Sequence, residues 1–233
     1  MKQHIEQLDW NTISNQLNEH GYALVKQVIT TDECDGLAKG YDQNVLYRKT
    51  INMERYRFGQ GEYKYFNYPL PAVIEQVRHS VYPYLVPVAN NWMRVLNVNK
   101  QFPSALAELL DECHAHQQTR PTPLILRYDK GGYNTLHQDL YGEIYFPMQL
   151  VLFLDEPGKD YEGGEFVLIE QRPRAQSKAI VLRPQKGDML IFTTNFRPVK
   201  GTKGYYRVNM KHGVSELTSG RRHTLGIIFH DAA

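Results

Sequence analysis

The stretch "PLILRYDKGGYNTLHQDLYGEIYFPMQLVLFLDEP" (residues 123–157) contains two apolar runs, 124–128 and 148–154, with His137, Gln138 and Asp139 between them. Both runs are short, rich in branched and aromatic residues, and bounded by Gly, Pro and Asp. They read as strands that enter a core. His137 and Asp139 are two positions apart. On an extended chain this puts both side chains on one face, directed inward, and Gln138 on the other. A polar pair turned into a core from the end of a strand needs a partner there.

The same rhythm continues downstream. "GEFVLIE" (164–170), "AIVLRP" (179–184), "DMLIFTT" (188–194), "YRVNMKHGV" (206–214) and "RHTLGIIFHD" (222–231) are strand-like. "DKGG", "EPGKDYEGG", "QKGD" and "VKGTKG" punctuate them. Closely spaced strands without crossover helices argue for an antiparallel jelly roll or barrel.

Upstream the rhythm is helical. "WNTISNQLNEHG" (10–21) places Trp10, Ile13 and Leu17 on one face and ends at Gly21. "YALVKQVI" (22–29) reads as a strand, and "TTDECDGLAKGYD" (30–42) as a helix capped by Thr30 or Thr31. "LPAVIEQVRHSVYPYL" (70–85) and "SALAELLDECHAHQQ" (104–118) are further amphipathic helices. The expected fold is α+β: a double-stranded β-helix (jelly roll) with N-terminal helices packed on one sheet. The expected organisation is one domain, 1–233. Residues 1–118 form a helical support and substrate-recognition region, and 119–233 the jelly-roll catalytic core.

The composition fits a folded chain: 42% apolar and 22% charged residues in 233. A net charge of +2 names no partner. Residues 1–115 carry 11 Lys/Arg against 13 Asp/Glu and the remainder 16 against 12, a slight basic bias of the second half. Cys34 and Cys113 are far apart and read as buried thiols of a reducing compartment. The first residues lack an apolar signal core, and no run of eighteen apolar residues occurs. The expected location is the cytoplasm, with no membrane partner.

One further histidine sits in a strand-like setting, His212 in "NMKHGV". Two histidines and one carboxylate from two strands can occupy one face of a metal octahedron and leave three positions open. That is the ligand set of mononuclear non-haem Fe(II) oxygenases. An H-x-D triplet alone is equally at home in a surface loop, and a lone strand histidine in a hydrogen-bonded core. Arg222, ten residues after His212, changes the balance. A guanidinium directed into an apolar barrel requires an anion, and it binds a carboxylate through two parallel hydrogen bonds. A dicarboxylate that chelates the metal at one end would meet Arg222 at the other. Gly220 and Arg221 read as the turn from which the last strand starts, with Arg221 facing the other way. His4, His20, His79, His114, His116, His223 and His230 lack such a context and read as structural.

These elements, H-x-D followed by H-x-V-x-x-x-x-x-G-x-R, resemble the Fe(II)/2-oxoglutarate-dependent dioxygenase superfamily over roughly residues 120–231. "GGEF" (163–166) and "KGDMLIF" (186–192) are landmarks of the same family. "RYDKGGYNTLHQD" resembles the AlkB-type stretch R-Y-x-x-G-x-x-x-x-x-H-Q-D. The chain as a whole looks like bacterial AlkB-like oxygenases. The resemblance implies that His137, Asp139 and His212 bind Fe(II), that Arg222 binds the distal carboxylate of 2-oxoglutarate, and that Tyr128 hydrogen-bonds this cosubstrate. Tyr128 is equally readable as a core aromatic. Dioxygen is the second cosubstrate, and succinate and carbon dioxide are released. Two departures concern the substrate. Leu126 stands where the AlkB-type stretch has asparagine, and the His212–Arg222 spacing is closer to prolyl-hydroxylase-like members.

Residues 47–71 interleave Arg48, Lys49, Arg55, Arg57 and Lys64 with seven aromatic residues. Such a segment suits phosphates and stacked bases, a peptide, a closing lid, or a hairpin packed on the core. Arg197, Lys200, Lys203 and Arg207, just before His212, are a second basic stretch. Three functions follow: an AlkB-like oxidative demethylase of alkylated nucleic-acid bases, a hydroxylase of a protein (prolyl-type) or small-molecule substrate, and a non-catalytic jelly-roll binding module.

Overall fold

The computed structural model describes residues 2–139 and 142–233, so Leu140 and Tyr141 of the opening stretch lie outside the described residues. The chain begins with α1 (Lys2–Glu6), α2 (Trp10–His20), β1 (Tyr22–Val25) and α3 (Thr31–Lys39). Next come β2 (Tyr47–Asn52), β3 (Gly59–Gln60), β4 (Glu62–Phe66), α4 (Ala72–Val95) and α5 (Leu106–Ala115). The second half is strand: β5 (Leu124–Asp129), β6 (Tyr133–His137), β7 (Met148–Phe153), β8 (Tyr161–Gly163), β9 (Phe166–Gln171) and β10 (Lys178–Leu182). It continues through β11 (Met189–Thr193), β12 (Phe196–Gly201), β13 (Gly204–Val214) and β14 (Leu217–Ile228).

Two antiparallel sheets result. The larger runs β1-β11-β7-β14-β5-β4-β2, with β8 added to β14; the smaller runs β10-β9-β13-β6-β3, with β12 added to β13. Both apolar runs of the opening stretch therefore flank one strand, β14. Every residue of β7 is buried. Leu150 and Leu152 face the helices together with Ile125, Ile191, Leu225 and Ile227. Val151 and Phe153 face the second sheet and meet Phe166, Leu168, Phe192 and Met210. A strand covered on both faces has no polar alternation, hence the unbroken apolar letters. The jelly roll with helices on one sheet is thus the architecture expected of the sequence.

The helices follow local signals. Asp9 caps α2 by accepting from the Thr12 N–H, and Gly21 ends it in the left-handed conformation at φ 77°. Thr30, not Thr31, caps α3, in a reciprocal box with Glu33. Helix α4 runs on to Val95 through Pro83 and Pro87. Its buried face, including Tyr82, Leu85, Ala89 and Trp92, outweighs two missing backbone donors. Arg78 on α4 is fully buried. Its Nε donates to Ile228 O at 3.1 Å, and its Nη2 to Phe229 O and Asp231 Oδ1 at 2.9 Å each. That fork ties the helical layer to the end of β14.

Two local expectations change. The strand expected over 22–29 stops at Val25, because Asp188 accepts from Lys26 Nζ at 2.8 Å and from the Gln27 N–H at 3.1 Å and turns the chain. Within 47–71 it is the hairpin packed on the core that forms: β2 and β4 extend the larger sheet, and β3 pairs with β6 of the smaller one. Gly220 does not begin a strand but lies inside β14, at φ 77°, where a Cβ would come within 2.1 Å of Asp160 O. Cys34 and Cys113 are free and buried. No helix among the described residues is long and apolar enough to cross a membrane.

His230, just beyond β14, is 1% exposed, and its Nδ1 accepts from the Phe146 N–H at 3.1 Å. Burial, aided by Arg78, pushes its pKa down to about 4. The unfolded chain therefore binds the proton more tightly. This group's contribution to stability is complete above about pH 6.5 and is lost as pH falls toward 4. Between pH 7.5 and 5 it should cost about 2 kcal/mol. Denaturant titration at the two pH values should show a loss larger by that amount in the wild type than in His230→Asn, which keeps an acceptor without a titrating ring.

Candidate active site

His212 and His137 are Cα partners across β13 and β6. Partners directly opposite in an antiparallel pair project to the same face, so the imidazoles lie side by side, ring centroids 4.2 Å apart. The histidines thus come from adjacent strands of one sheet, not from two facing strands. Beyond this pair the register slips. Val214 opposes Asn134, so β6 carries one extra residue. Bulges of this kind re-aim side chains beside functional sites. Gly213 sits at the bulge, and a Cβ there would come 2.7 Å from Asn134 O and 3.2 Å from Thr135 O.

Asp139 lies two residues past His137, beyond the end of β6. Its Oδ1 is 3.5 Å from His137 Nε2, and its Oδ2 is 3.2 Å from His212 Nε2. One ligand atom from each of the three residues lies within 4.8 Å of the others. His137 Nδ1 donates to Thr135 O at 2.7 Å, which leaves Nε2, the nitrogen turned to Asp139, as the one that would give up its proton to hold a metal. Phe166 stacks on His212 at 5.9 Å, and Phe192 meets it edge-on at 4.8 Å. Burial pushes the Asp139 carboxyl up, but the charge of His212 and hydrogen bonds from both histidines hold it well below the usual range. Burial lowers the pKa of His212 and, against the Asp139 hydrogen bond, fails to lower that of His137, which is raised. Two imidazole nitrogens and one ionised carboxylate suit a divalent iron with open positions.

Gln138 does turn its amide away from this cluster. Its Nε2 donates toward Asn195 O, Asn195 Oδ1 and Met210 O at 2.8–2.9 Å. It thereby ties the His137–Asp139 segment to Asn195, just before β12, and to β13.

Arg222 and Tyr128 are Cα partners on β14 and β5. Arg222 is 1% exposed, and its Nε and Nη1 have no hydrogen-bond partner. Its guanidinium lies among the rings of Phe153, Tyr128 and Tyr161, at 5.5, 5.6 and 5.9 Å. Buried donors of a cation left this way need an anion. Arg221 alternates outward and pairs with Asp129 at 2.6 Å. Burial, partly offset by Arg222, pushes the fully buried Tyr128 phenol up to about 12, so it remains a donor.

A cavity of about 250 Å³ joins these groups, walled by Leu124, Leu126, Val151 and Ile228. Phe58, Met53 and Tyr63 line its other side. Phe58 is held there because Phe58 O accepts from both the N–H and the hydroxyl of Thr135 at 2.9 Å. Phe58 and Tyr63 are two of the seven aromatic residues that the sequence sets among the basic groups of 47–71, whereas Gln149 lies in the apolar run 148–154 and no motif marks it as a site residue. Gln149 carried a signal, being the polar letter within "MQLVLFL".

Known structures share this fold. A prolyl-4-hydroxylase from Pseudomonas putida aligns with TM-score 0.57 and 13% identity over 96% of this chain and 99% of its own. An oxidoreductase of the 2OG-Fe(II) oxygenase family from Burkholderia pseudomallei aligns with TM-score 0.55 and 12% identity over 97% and 93%. These likenesses are of fold, and within that shared fold this chain gathers two imidazoles and a carboxylate that could hold a metal ion. Residues 61–232 match the Oxygenase-NA family, described as "Oxygenase, catalysing oxidative methylation of damaged DNA", and the chain belongs to that family. Two uncharacterized proteins of Mycobacterium tuberculosis, strains CDC 1551 and H37Rv, are 46% identical over 168 residues, 72% of this chain and of each relative.

The crowded glycine at the bulge makes a specific expectation. Gly213→Ala must push β6 away from β13, since the obstructing atoms are backbone carbonyls. A loss of about 1–3 kcal/mol in urea unfolding is expected, with weaker divalent-metal binding in the fraction that folds.

Proposed function

We propose that His137, Asp139 and His212 hold the iron, that Arg222 holds one carboxylate of 2-oxoglutarate, with Tyr128 donating to this cosubstrate, and that the group oxidised is an alkyl substituent on a nucleic-acid base. Iron with 2-oxoglutarate and dioxygen supplies the oxidation of a C–H bond, with succinate and carbon dioxide as coproducts. The protein's part is positional. Arg222 orients the cosubstrate through charge-assisted hydrogen bonds, and the apolar walls exclude water from the reacting carbon. A methyl hydroxylated on a base nitrogen leaves as formaldehyde. Two buried thiols fit the reducing cytoplasm as the place of action.

The observation that carries the base reading is a set of exposed apolar side chains around Phe58, which lines the cavity, and around Asn134 and Thr135, which line it too. Tyr56, Phe58, Tyr133 and Leu136 are 52, 45, 39 and 46% exposed, although large and apolar. They belong to two segments bonded to each other through β3 and β6 and through Phe58 and Thr135. Tyr56 and Phe58 stack at 5.5 Å and 18°, beside the exposed Arg55 and Arg57. An exposed aromatic pair next to guanidinium groups suits a planar base and its phosphates. The description of the Oxygenase-NA family, which names damaged DNA, supports the same reading.

Arg222→Ala should weaken 2-oxoglutarate binding at least tenfold, read from the visible charge-transfer band of anaerobic Fe(II) protein, whereas Arg221→Ala should stay within about threefold. The opposite ranking would overturn the assignment. Wild-type protein should release formaldehyde and succinate in equal amounts from methylated single-stranded oligonucleotides. Succinate formed only with prolyl peptides or small metabolites would replace the base reading. On oligonucleotides Phe58→Ala should raise KM about tenfold or more, with 2-oxoglutarate binding unchanged.

A further inference from the structure

Gln149 is the only polar residue of β7. It is 5% exposed, and its Cα partners are Phe192 on β11 and Ile228 on β14. Sheet alternation turns its side chain into the cavity, on the opposite sheet from the two histidines. Its Nε2 donates to Asp139 Oδ2 at 2.6 Å. An ionised carboxylate only accepts, so the amide nitrogen must face it. The amide oxygen is then directed elsewhere, and Gln149 Oε1 is buried without a donor.

A buried amide with one satisfied end is a poor choice for packing. A residue of similar length and no polar atoms would fill the same space without an orphaned acceptor. The side chain therefore has a use that outweighs its cost to the fold, and the group it touches is Asp139. We propose that Gln149 is a positioning residue for the metal centre: it spans the two sheets to fix the Asp139 carboxylate against the His137–His212 pair. This rests on the reading of His137, Asp139 and His212 as the metal ligands. Asp139 has left the strand that carries His137, so the backbone ladder alone does not set its carboxylate. A hydrogen bond from the facing sheet does.

Co(II) titration of the apoprotein, followed by its visible absorption, tests this without substrate or turnover. Gln149→Met and Gln149→Leu should bind Co(II) about 10–100-fold more weakly than wild type. Their apoprotein melting temperatures should be unchanged or higher. A role in packing alone gives the reverse, a lowered melting temperature with Co(II) affinity within twofold of wild type, and overturns the proposal. Failure of both variants to fold also overturns it. Wild-type protein that binds no Co(II) would overturn the ligand reading itself, an outcome separate from a wild type that binds Co(II) while the variants bind it equally well. The substrate class has no bearing on any of these results.

Discussion

The in-register pairing of His137 on β6 with His212 on β13 is the constraint on which the rest of the site depends. Each strand alone offers a single imidazole. The antiparallel ladder sets the rings 4.2 Å apart and turns both into the space between the sheets. A slip of one residue would send one ring to the outer face. The pairing is protected on both flanks. Gly213 permits the close approach of β6, Gln138 ties the segment after His137 to β13, and Phe166 and Phe192 clamp the inner ring.

Strand β14 links this site to the stability of the whole molecule. Its outward residues Leu225 and Ile227 join the core under the helices, while Arg222, Thr224, Gly226 and Ile228 line the cavity. One strand thus serves packing on one face and lines the cavity with the other. The helical layer supports it from behind, with Arg78 gripping the carbonyls of Ile228 and Phe229. The inner face carries groups that burial disfavours, an Arg222 with orphaned donors and a Gln149 with an orphaned acceptor. Rigid strands hold both where a flexible loop would let them escape to water.

Much of this is legible in the amino-acid sequence. The His137–Asp139 spacing, the distal His212 and the arginine ten residues on are local patterns, and alternation correctly separated Arg222 from Arg221. The segment 47–66 was harder. Its strands carry lysine, arginine and glutamate on positions that reach the surface or snorkel, as Lys64 does over the Tyr41 ring at 4.3 Å, so the apolar period of two is hidden. Gly220 misled for another reason. Glycine commonly marks a turn, and here it marks a place where β14 passes against the Asp160 carbonyl.

The sequence by itself determined the fold class and marked out His137, Asp139, His212 and Arg222 as candidates, because alternation, turn residues and short motifs act over a few positions along the chain. Tertiary structure decided what depends on distant segments meeting. It paired two histidines as strand neighbours rather than as facing partners and brought Gln149 from the opposite sheet to Asp139. It also set Phe58 over the cavity through a bond to Thr135. No local pattern encodes these contacts, since each depends on the register of a strand pair or the separation of two sheets, which packing of the whole core sets.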